Sequence, residues 1–274
     1  MSEIKHPAIR YHGGKFRMAP YIISHFPEHR CYVEPFGGAA SVLLRKPRSY
    51  AEVYNDLDSD VVNLFAILRN AAQRERLIEA LILTPYSRCE FLGAYEETND
   101  VVEKARRLVI RATMGFGSAG ATKGTTGFRL DTKRDSATAQ HLWARMPNNL
   151  AAVGQRFEGV LVENRDAIQV MKDHDAPDTL HFVDPPYVHE TRVISSKYYS
   201  HEMDNDQHLA LLDSVLKLEG KVVICGYETE MYNDILTGWQ KETRQSSAAG
   251  QRGSVKRTEC LWLSPNCQQG VKAA

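Results

Sequence analysis

The sequence predicts an α/β fold of the nucleotide-binding type that is interrupted by a helical insertion. Short apolar strands alternate with helices at both ends of the chain, and a glycine-rich turn follows the first strand. Between the two ends lies a stretch with helical periodicity, no strand signals and an excess of basic side chains. These observations place one α/β domain at residues 1–67 and 156–274, and a helical, basic insertion at residues 68–155.

The composition is that of an ordinary globular protein. Of the 274 residues, 43% are hydrophobic and 25% are charged, and no apolar run approaches the length of a membrane span. The N-terminus lacks the apolar core of a signal peptide, so we expect a soluble, intracellular protein. The five cysteines are an odd, scattered set without a CxxC pair, which favours reduced thiols over disulfides or a zinc site.

The first predicted strand, residues 31–33, leads into a glycine turn at residues 34–38 and then into a helix-like apolar run at residues 42–44. Strand, glycine turn and helix in this order open a nucleotide-binding sheet. The glycines let a ligand approach the backbone, and a helix N-terminus offers free N–H groups to it. Phe36 is expected to form a wall of the ligand pocket, with a place in the hydrophobic core as the alternative.

A second strand is predicted at residues 50–54, and Asn55 and Asp56 follow it directly. Asp56 lies about 20 residues beyond the glycine turn, where an acid can accept hydrogen bonds from a ribose diol. The alternative makes Asp56 part of the N-cap region of the helix predicted from Val61. Asp56 binds a ligand in the first interpretation and only begins a helix in the second.

The predicted insertion is helical and basic. Apolar positions recur with a helical period over residues 61–112, a glycine-rich stretch covers residues 115–127, and a further helix is predicted at about residues 137–153. Residues 101–160 carry ten basic and four acidic side chains, although the formal net charge of the whole chain is zero. A basic loop that contains glycines and aromatic rings suits a nucleic-acid backbone, and a solvated helix face is the alternative. The candidates for backbone contacts are Arg129, Lys133 and Arg134.

Strand signals return in the second half of the chain, at residues 160–162, 180–183, 222–225 and 260–263. The strand at 180–183 runs directly into the turn Asp184-Pro185-Pro186-Tyr187. These residue types can hold a planar aromatic amine, because the acid accepts a hydrogen bond, the prolines donate no N–H and the tyrosine ring offers a stacking surface. A tight turn after a core strand is the structural alternative.

Other motifs are absent from the sequence. It has no P-loop, no HExxH, no zinc-deaminase signature and no Pro-Cys nucleophile, and Gly37-Gly38 in the turn after the first strand does not form GxGxxG. Asp204, followed three residues later by Gln207, instead predicts only a capped helix between two of the later strands. The chemistry of the chain is therefore expected at the glycine turn, at Asp56 and at the turn that begins with Asp184.

A family resemblance rests on four blocks in one order: Tyr11-His12-Gly13-Gly14-Lys15, Val33-Glu34-Pro35-Phe36-Gly37-Gly38, Asn55-Asp56 and Asp184-Pro185-Pro186-Tyr187. With these blocks the chain resembles the Dam-like DNA adenine N6-methyltransferases, and residues 256–265 are similar to the family's closing strand. The resemblance implies a doubly wound, Rossmann-like methyltransferase sheet with an antiparallel last strand and an inserted helical target-recognition domain. It further implies S-adenosylmethionine as methyl donor and double-stranded DNA as partner, without metal or membrane. We expect a monomer or weak dimer in the cytoplasm of a bacterium or a phage-infected bacterial cell.

The resemblance also assigns roles to individual residues. The implied cofactor-binding set is Tyr11, Lys15, Glu34, Pro35, Phe36, Gly37, Asp56, Asp166 and Asp184. The implied catalytic set is Asp184, Pro185, Pro186 and Tyr187. Asp56 would bind the ribose and Asp166 would lie near the adenine ring. For Lys15, hydrogen bonding to a local carbonyl is the alternative to cofactor binding.

The turn chemistry accounts for the implied catalytic set independently. Asp184 and the carbonyl of Pro185 would accept the two hydrogens of the adenine amine, and Tyr187 would stack on the extruded base. Residues 111–120 depart from the family's asparagine- and tyrosine-rich recognition hairpin, so the target sequence stays open between site-specific and relaxed recognition, and relaxed recognition is a hypothesis. Two rival functions remain open: methyl transfer to cytosine N4 or to an RNA adenine, and nucleic-acid binding without activity.

Overall fold

The structure, a computed structural model, describes residues 4–117, 120–122, 125–130, 138–191, 201–250 and 253–268. Its strands are β1 Cys31–Glu34, β2 Ala51–Asn55, β3 Leu161–Glu163, β4 Thr179–Val183, β5 Lys221–Gly226, β6 Gln240–Gly250 and β7 Gly253–Leu263. Its α-helices are α1 Ala19–Ile23, α2 Ser59–Arg69, α3 Ala71–Leu83, α4 Arg88–Gly93, α5 Val101–Met114, α6 Ala139–Phe157, α7 Ala167–Asp173, α8 Asn205–Val215 and α9 Glu230–Ile235. None of the helices in these ranges is long and apolar enough to cross a membrane.

The strands within the described ranges form one seven-stranded sheet in the order β3-β2-β1-β4-β5-β7-β6. Strands β1 to β5 pair in parallel, and β7 is antiparallel to both β5 and β6. The prediction of an α/β sheet with an antiparallel last strand is confirmed. The strand order reverses between β1 and β4, and sheets of this kind bind ligands at that point, beyond the carboxyl ends of the strands.

Hydrophobic clusters cover both faces of the sheet, and the two larger ones lie on opposite sides of β4. Strand β4 is buried along its whole length, and the adjacent residues Phe182 and Val183 belong to opposite clusters. Helices α2, α5 and α6 contribute to the first cluster, where the rings of Phe65 and Phe157 stack with their centroids 4.4 Å apart. Helix α8 contributes Leu212 to the second cluster. The central strands are apolar runs because both of their faces are covered.

The predicted insertion is helical, with α3, α4, α5 and most of α6 inside residues 68–155. The two predicted boundaries fall within α2 and α6, which both pack into the cluster that also covers the sheet. The helical layer therefore extends the core of the sheet. The predicted cap of α8 is also confirmed, because Asp204 and Gln207 form a reciprocal capping box.

The residues after the glycine turn do not form the helix that the apolar run at 42–44 predicted; they form turns. Ala40 has a left-handed φ of 53°, which interrupts helical geometry just before this run. Side chains then bind the backbone of Leu43, since its N–H donates to Glu34 and its carbonyl accepts from Arg156. The backbone N–H groups near the cavity thus come from a turn, not from a helix N-terminus.

Strand β6 has no counterpart among the strands expected from the sequence, and β7 begins well before the apolar run at 260–263. The sequence of β6 is polar, and the strand lies at the edge of the sheet. Its partner β7 supplies the backbone hydrogen bonds along the whole strand. An apolar pattern marks buried strands, so it gives no signal for such an edge strand.

A buried charge cluster joins α6 to the sheet. Glu52 on β2 accepts from Arg156 on α6 at 2.6 Å and from Lys46 at 2.8 Å, and all three side chains are at most 9% exposed. Arg156 also donates to the carbonyl of Leu43 at 2.8 Å. The cluster therefore ties the helical layer to the turn that follows β1.

Replacing Glu52 should destabilise the protein strongly. Glu52→Ala leaves the Arg156 and Lys46 cations buried without their carboxylate, and breaking such a cluster costs about 3–5 kcal/mol. Chemical denaturation measures the loss as a change in the free energy of unfolding. Asp213→Ala, which removes an exposed pair with Lys217, is the matched control and should change it by less than about 0.5 kcal/mol. Equal effects of the two substitutions would contradict the assignment.

Candidate active site

A cavity of about 330 Å³ lies at the carboxyl ends of β1, β2 and β4. It is lined by every residue of the predicted cofactor-binding set and by Pro186, that is by Tyr11, Lys15, Glu34, Pro35, Phe36, Gly37, Asp56, Asp166, Asp184 and Pro186. Pro185 and Tyr187 are buried and lie outside this lining. Arg129 also lies outside it, and Lys133 and Arg134 fall outside the described residues.

Asp184 forms a close ion pair with Lys15. The Lys15 ammonium lies 2.9 Å from Oδ1 and 3.0 Å from Oδ2 of Asp184, donates to the carbonyl of Gly13 at 2.8 Å, and lies 4.7 Å from the centroid of the Tyr187 ring. Burial raises the pKa of Asp184 and the Lys15 ammonium opposes that rise, while the nearby charge of Glu259 adds to it and the Tyr187 hydroxyl opposes it. Lys15 thus makes the local carbonyl bond and also contacts two residues of the predicted catalytic turn.

The Asp56 carboxylate faces the cavity and is held by two backbone donors. Its Oδ2 accepts from the N–H of Gly38 and its Oδ1 from the N–H of Asp58, each at 2.8 Å. The N-cap residue of α2 is Asp58, two positions after Asp56, so Asp56 lies just before the helix and binds the backbone of its N-cap residue. Burial raises the pKa of Asp56 to about 6. Asp56 is therefore mostly ionised at neutral pH and can accept hydrogen bonds from hydroxyl groups.

Glu34 is a buried acid at the end of β1. Its Oε2 accepts from the hydroxyl of Tyr32 at 2.8 Å and from the N–H of Leu43 at 3.0 Å. Burial raises the pKa of Glu34 to about 8, the two hydrogen bonds oppose the rise, and the nearby charge of Asp184 adds to it. Glu34 therefore carries its proton at neutral pH.

The glycine turn packs so closely that side chains do not fit. A Cβ at Gly37 would lie 2.2 Å from the ring of Tyr54, and one at Gly38 would lie 2.8 Å from the ring of Tyr11. Gly38 also has a left-handed φ of 46°. The ring of Tyr11 is thus seated against the backbone of the turn, at the wall of the cavity.

Asn55 joins three segments around the cavity. Its side-chain N–H donates to the carbonyls of Pro35 and Arg165, and its side-chain oxygen accepts from the N–H of Arg165. The next residue, Asp166, is the N-cap of α7 and accepts from the N–H of Gln169 at 3.0 Å. The buried amide therefore fixes the position of Asp166 relative to the glycine turn.

Ser41 is a lining residue that sequence reasoning missed. It is 6% exposed, and its hydroxyl has no hydrogen-bond partner among the residues that the structure describes. Buried hydroxyls are normally paired, so this hydroxyl suits a polar ligand in the cavity. With Asp56 and Asp166 as acceptors, the lining fits the ribose and base of the implied cofactor. A serine three residues after the glycine turn was the available signal in the sequence.

The fold and the cavity are those expected of a methyltransferase of the Rossmann-like class. The model of the D12 class N6 adenine-specific DNA methyltransferase family matches residues 11–246, and the chain belongs to that family. It is 29% identical to the DNA adenine methylase of Escherichia coli (strain K12) over 104 residues, which cover 37% of each chain. It is 36% identical to the DNA adenine methylases of Haemophilus influenzae over 69 residues and of Serratia marcescens over 61 residues, which cover 24% and 22% of each chain.

Substituting Glu34 should make stability less sensitive to pH. The unfolded chain releases the Glu34 proton above about pH 4.5, whereas the folded protein keeps it to about pH 8, so rising pH favours unfolding through this group. Glu34→Gln removes the effect and keeps acceptors for Tyr32 and Leu43. The free energy of unfolding of Glu34→Gln, relative to that of the natural protein, should increase as the pH rises through this window, by at most about 1.4 kcal/mol per pH unit. Denaturation from pH 5 to 8 measures it, and a pH-independent difference would contradict the assignment.

Proposed function

We propose that this protein transfers a methyl group from S-adenosylmethionine to the exocyclic amine of adenine in double-stranded DNA. One observation carries the proposal: Asp184, the acid suited to an aromatic amine, lines the same cavity as Asp56, the acid suited to a ribose diol. An amine acceptor and a nucleoside acceptor in one cavity support a reaction between two ligands. Membership of the D12 family supports adenine as the base and DNA as the polymer.

The cofactor would be held by the residues of the glycine turn and the strand ends around it. When bound, S-adenosylmethionine supplies a methyl group that carries the electrophilic character of a sulfonium. Asp56 would accept from the ribose hydroxyls, Asp166 would bind the adenine ring, and the Ser41 hydroxyl would pair with a polar group of the ligand. Tyr11 and Phe36 would enclose it, while the backbone of Gly37 allows close approach.

Asp184 would act on the adenine amine, which is a weak nucleophile because its lone pair is delocalised into the ring. An ionised Asp184, together with the carbonyl of Pro185, would accept the amine hydrogens and stabilise the positive charge that develops on nitrogen. Lys15 supports this role because its ammonium favours the ionised form of a buried acid. Holding the amine in line with the methyl group contributes about 7–11 kcal/mol to barrier reduction in well-oriented reactions.

Tyr187 would stack on the target base after it leaves the duplex. Base–aromatic stacking is worth about 1–3 kcal/mol per base, and it would offset part of the cost of extruding the base. The prolines before Tyr187 restrict the backbone and thereby fix the approach of the ring to the base.

The helical insertion at residues 68–155 would serve as the target-recognition domain, with Arg129, Lys133 and Arg134 on the DNA backbone. A short backbone pairing between residues 114–116 and 127–129 supports this role. The backbone N–H of Phe116 donates to the carbonyl of Gly127, and the backbone N–H of Arg129 donates to the carbonyl of Met114, both at 2.7 Å. Phe116 at its end is 73% exposed. An exposed aromatic ring beside basic side chains suits nucleic acid.

The activity is tested with labelled methyl donor and three substrates: duplex DNA, single-stranded DNA and RNA. We expect N6-methyladenine in the duplex after nuclease digestion. Label on cytosine or mainly in RNA would support another planar amine as the target, and tight DNA binding without transfer would support an inactive binding module.

Mapping the modified adenines of a methylated plasmid tests the target specificity. Modification at a single palindromic sequence would contradict relaxed recognition.

Two substitutions separate the proposed roles of the acids. Asp184→Asn keeps the shape but removes the charge, so it should lower the methyl-transfer rate about 100-fold or more with little change in cofactor affinity. Asp56→Ala should instead weaken cofactor binding about tenfold or more, because it removes charged hydrogen-bond acceptors. Single-turnover kinetics and equilibrium binding measure the two effects. Near-normal transfer by Asp184→Asn would refute the role of that acid.

A further inference from the structure

A buried acid on the last strand of the chain contacts the catalytic turn. Glu259 lies on β7, is 7% exposed, and accepts from the hydroxyl of Tyr187 at 2.6 Å. An O–H···O⁻ bond of this length lies in the range of charge-assisted hydrogen bonds, which are about twice as strong as neutral ones. Burying a carboxylate is costly unless it forms such bonds. The position of this acid therefore depends on a strong partner, and Tyr187 is one.

The ring of Tyr187 is also contacted on other sides. The Lys15 ammonium lies 4.7 Å from its centroid, and the ring of Tyr227 meets it edge-on, with centroids 4.5 Å apart and planes at 68°. The Tyr187 hydroxyl additionally lies 3.4 Å from the sulfur of Cys225 on β5. The hydroxyl and the ring thus have separate contacts, and the shortest of these distances is the one to Glu259.

The sheet brings Glu259 to the carboxyl edge of the parallel strands. Cys260 pairs with Gly226, the last residue of β5, so Glu259, the residue before Cys260 on the antiparallel β7, extends past the end of β5. Glu259 therefore approaches Tyr187 from the β5–β7 side of the sheet, whereas Asp56 and the glycine turn lie on the β1–β2 side. Lys15 contacts both Asp184 and the Tyr187 ring, so it joins the two ends of the turn that follows β4.

We propose that Glu259 is a positioning residue that fixes the ring of Tyr187, so that the turn presents a preformed stacking surface beside Asp184. A ring that is already held in place loses less conformational freedom when a base stacks on it. A displaced ring would also leave the Lys15 ammonium without one of its contacts. The inference rests on the proposed function only for the identity of the planar ligand.

The position of the ring is tested without any methyl transfer. Fluorine NMR of protein labelled with fluorotyrosine reports each tyrosine, and the Tyr187 signal is assigned by its loss in Tyr187→Phe. We expect Glu259→Ala to move this signal towards the shift of exposed tyrosines, and Glu259→Gln, whose amide oxygen still accepts a hydrogen bond, to move it less. Thr258→Ala, an exposed neighbour on β7, is the matched control and should leave it in place. An unmoved Tyr187 signal in Glu259→Ala would overturn the proposal.

The consequence for the reaction is tested in the same variants. Glu259→Ala should lower the single-turnover rate of methyl transfer about tenfold or more, leave the affinity for S-adenosylmethionine within about twofold, and be partly rescued in Glu259→Gln. The double variant Tyr187→Phe with Glu259→Gln should be no slower than Tyr187→Phe alone, because the acid acts through the lost hydroxyl. The proposal would be overturned if the double variant were slower than Tyr187→Phe by the factor that Glu259→Gln alone produces. It would also be overturned if Glu259→Ala lowered the rate and the cofactor affinity equally.

The two tests separate this inference from the proposed function. If the natural protein transfers no methyl group but the Tyr187 signal depends on Glu259, the proposed function fails and the positioning role stands. If the natural protein methylates DNA and Glu259→Ala is normal in both measurements, the function stands and the positioning role fails.

Discussion

The ion pair between Lys15 and Asp184 is the interaction on which the rest of the site depends. It joins residues 169 positions apart, one in the N-terminal segment and one at the end of β4. Without a cation at this place, burial would favour the protonated form of Asp184, which accepts amine hydrogens poorly. The same ammonium lies on the ring of Tyr187, so a single side chain holds the acid and the aromatic ring of the turn together.

The acids of the cavity are set to different protonation states by their surroundings. Burial raises the pKa of Glu34 to about 8, whereas Asp56, with two backbone donors, reaches only about 6. At neutral pH the cavity therefore contains a protonated Glu34 beside an ionised Asp56. Together with Asp184 this arrangement can bind a ligand that has a positive charge and a diol, while it limits repulsion among three closely spaced acids.

Much of the fold and the site was predictable from the sequence, because the central features have strong local signals. Strand β4 is an apolar run because both faces of the sheet are covered, and the turn that begins with Asp184 follows it directly. The family resemblance brought Tyr11, Asp56 and Asp166 to one site, and the structure places all three on the cavity.

The missed features depend on contacts between distant residues. The turns at residues 42–44 arise because the distant Arg156 and the side chain of Glu34 bind the backbone of Leu43, which an apolar run cannot reveal. Strand β6 is polar and forms by pairing with β7. Glu259 lies 72 residues from Tyr187 in sequence, so only the folded sheet shows their contact.

The central claim is that Lys15 keeps Asp184 ionised, and the pH dependence of single-turnover methyl transfer in Lys15→Gln tests it most directly. With the cofactor saturating, loss of the ammonium should raise the pKa of Asp184 further, so the acid limb of the pH–rate profile should move to higher pH. Raising the pH should then restore much of the lost rate. An acid limb at the same pH as in the natural protein, with a rate that is lower at every pH, would contradict the claim.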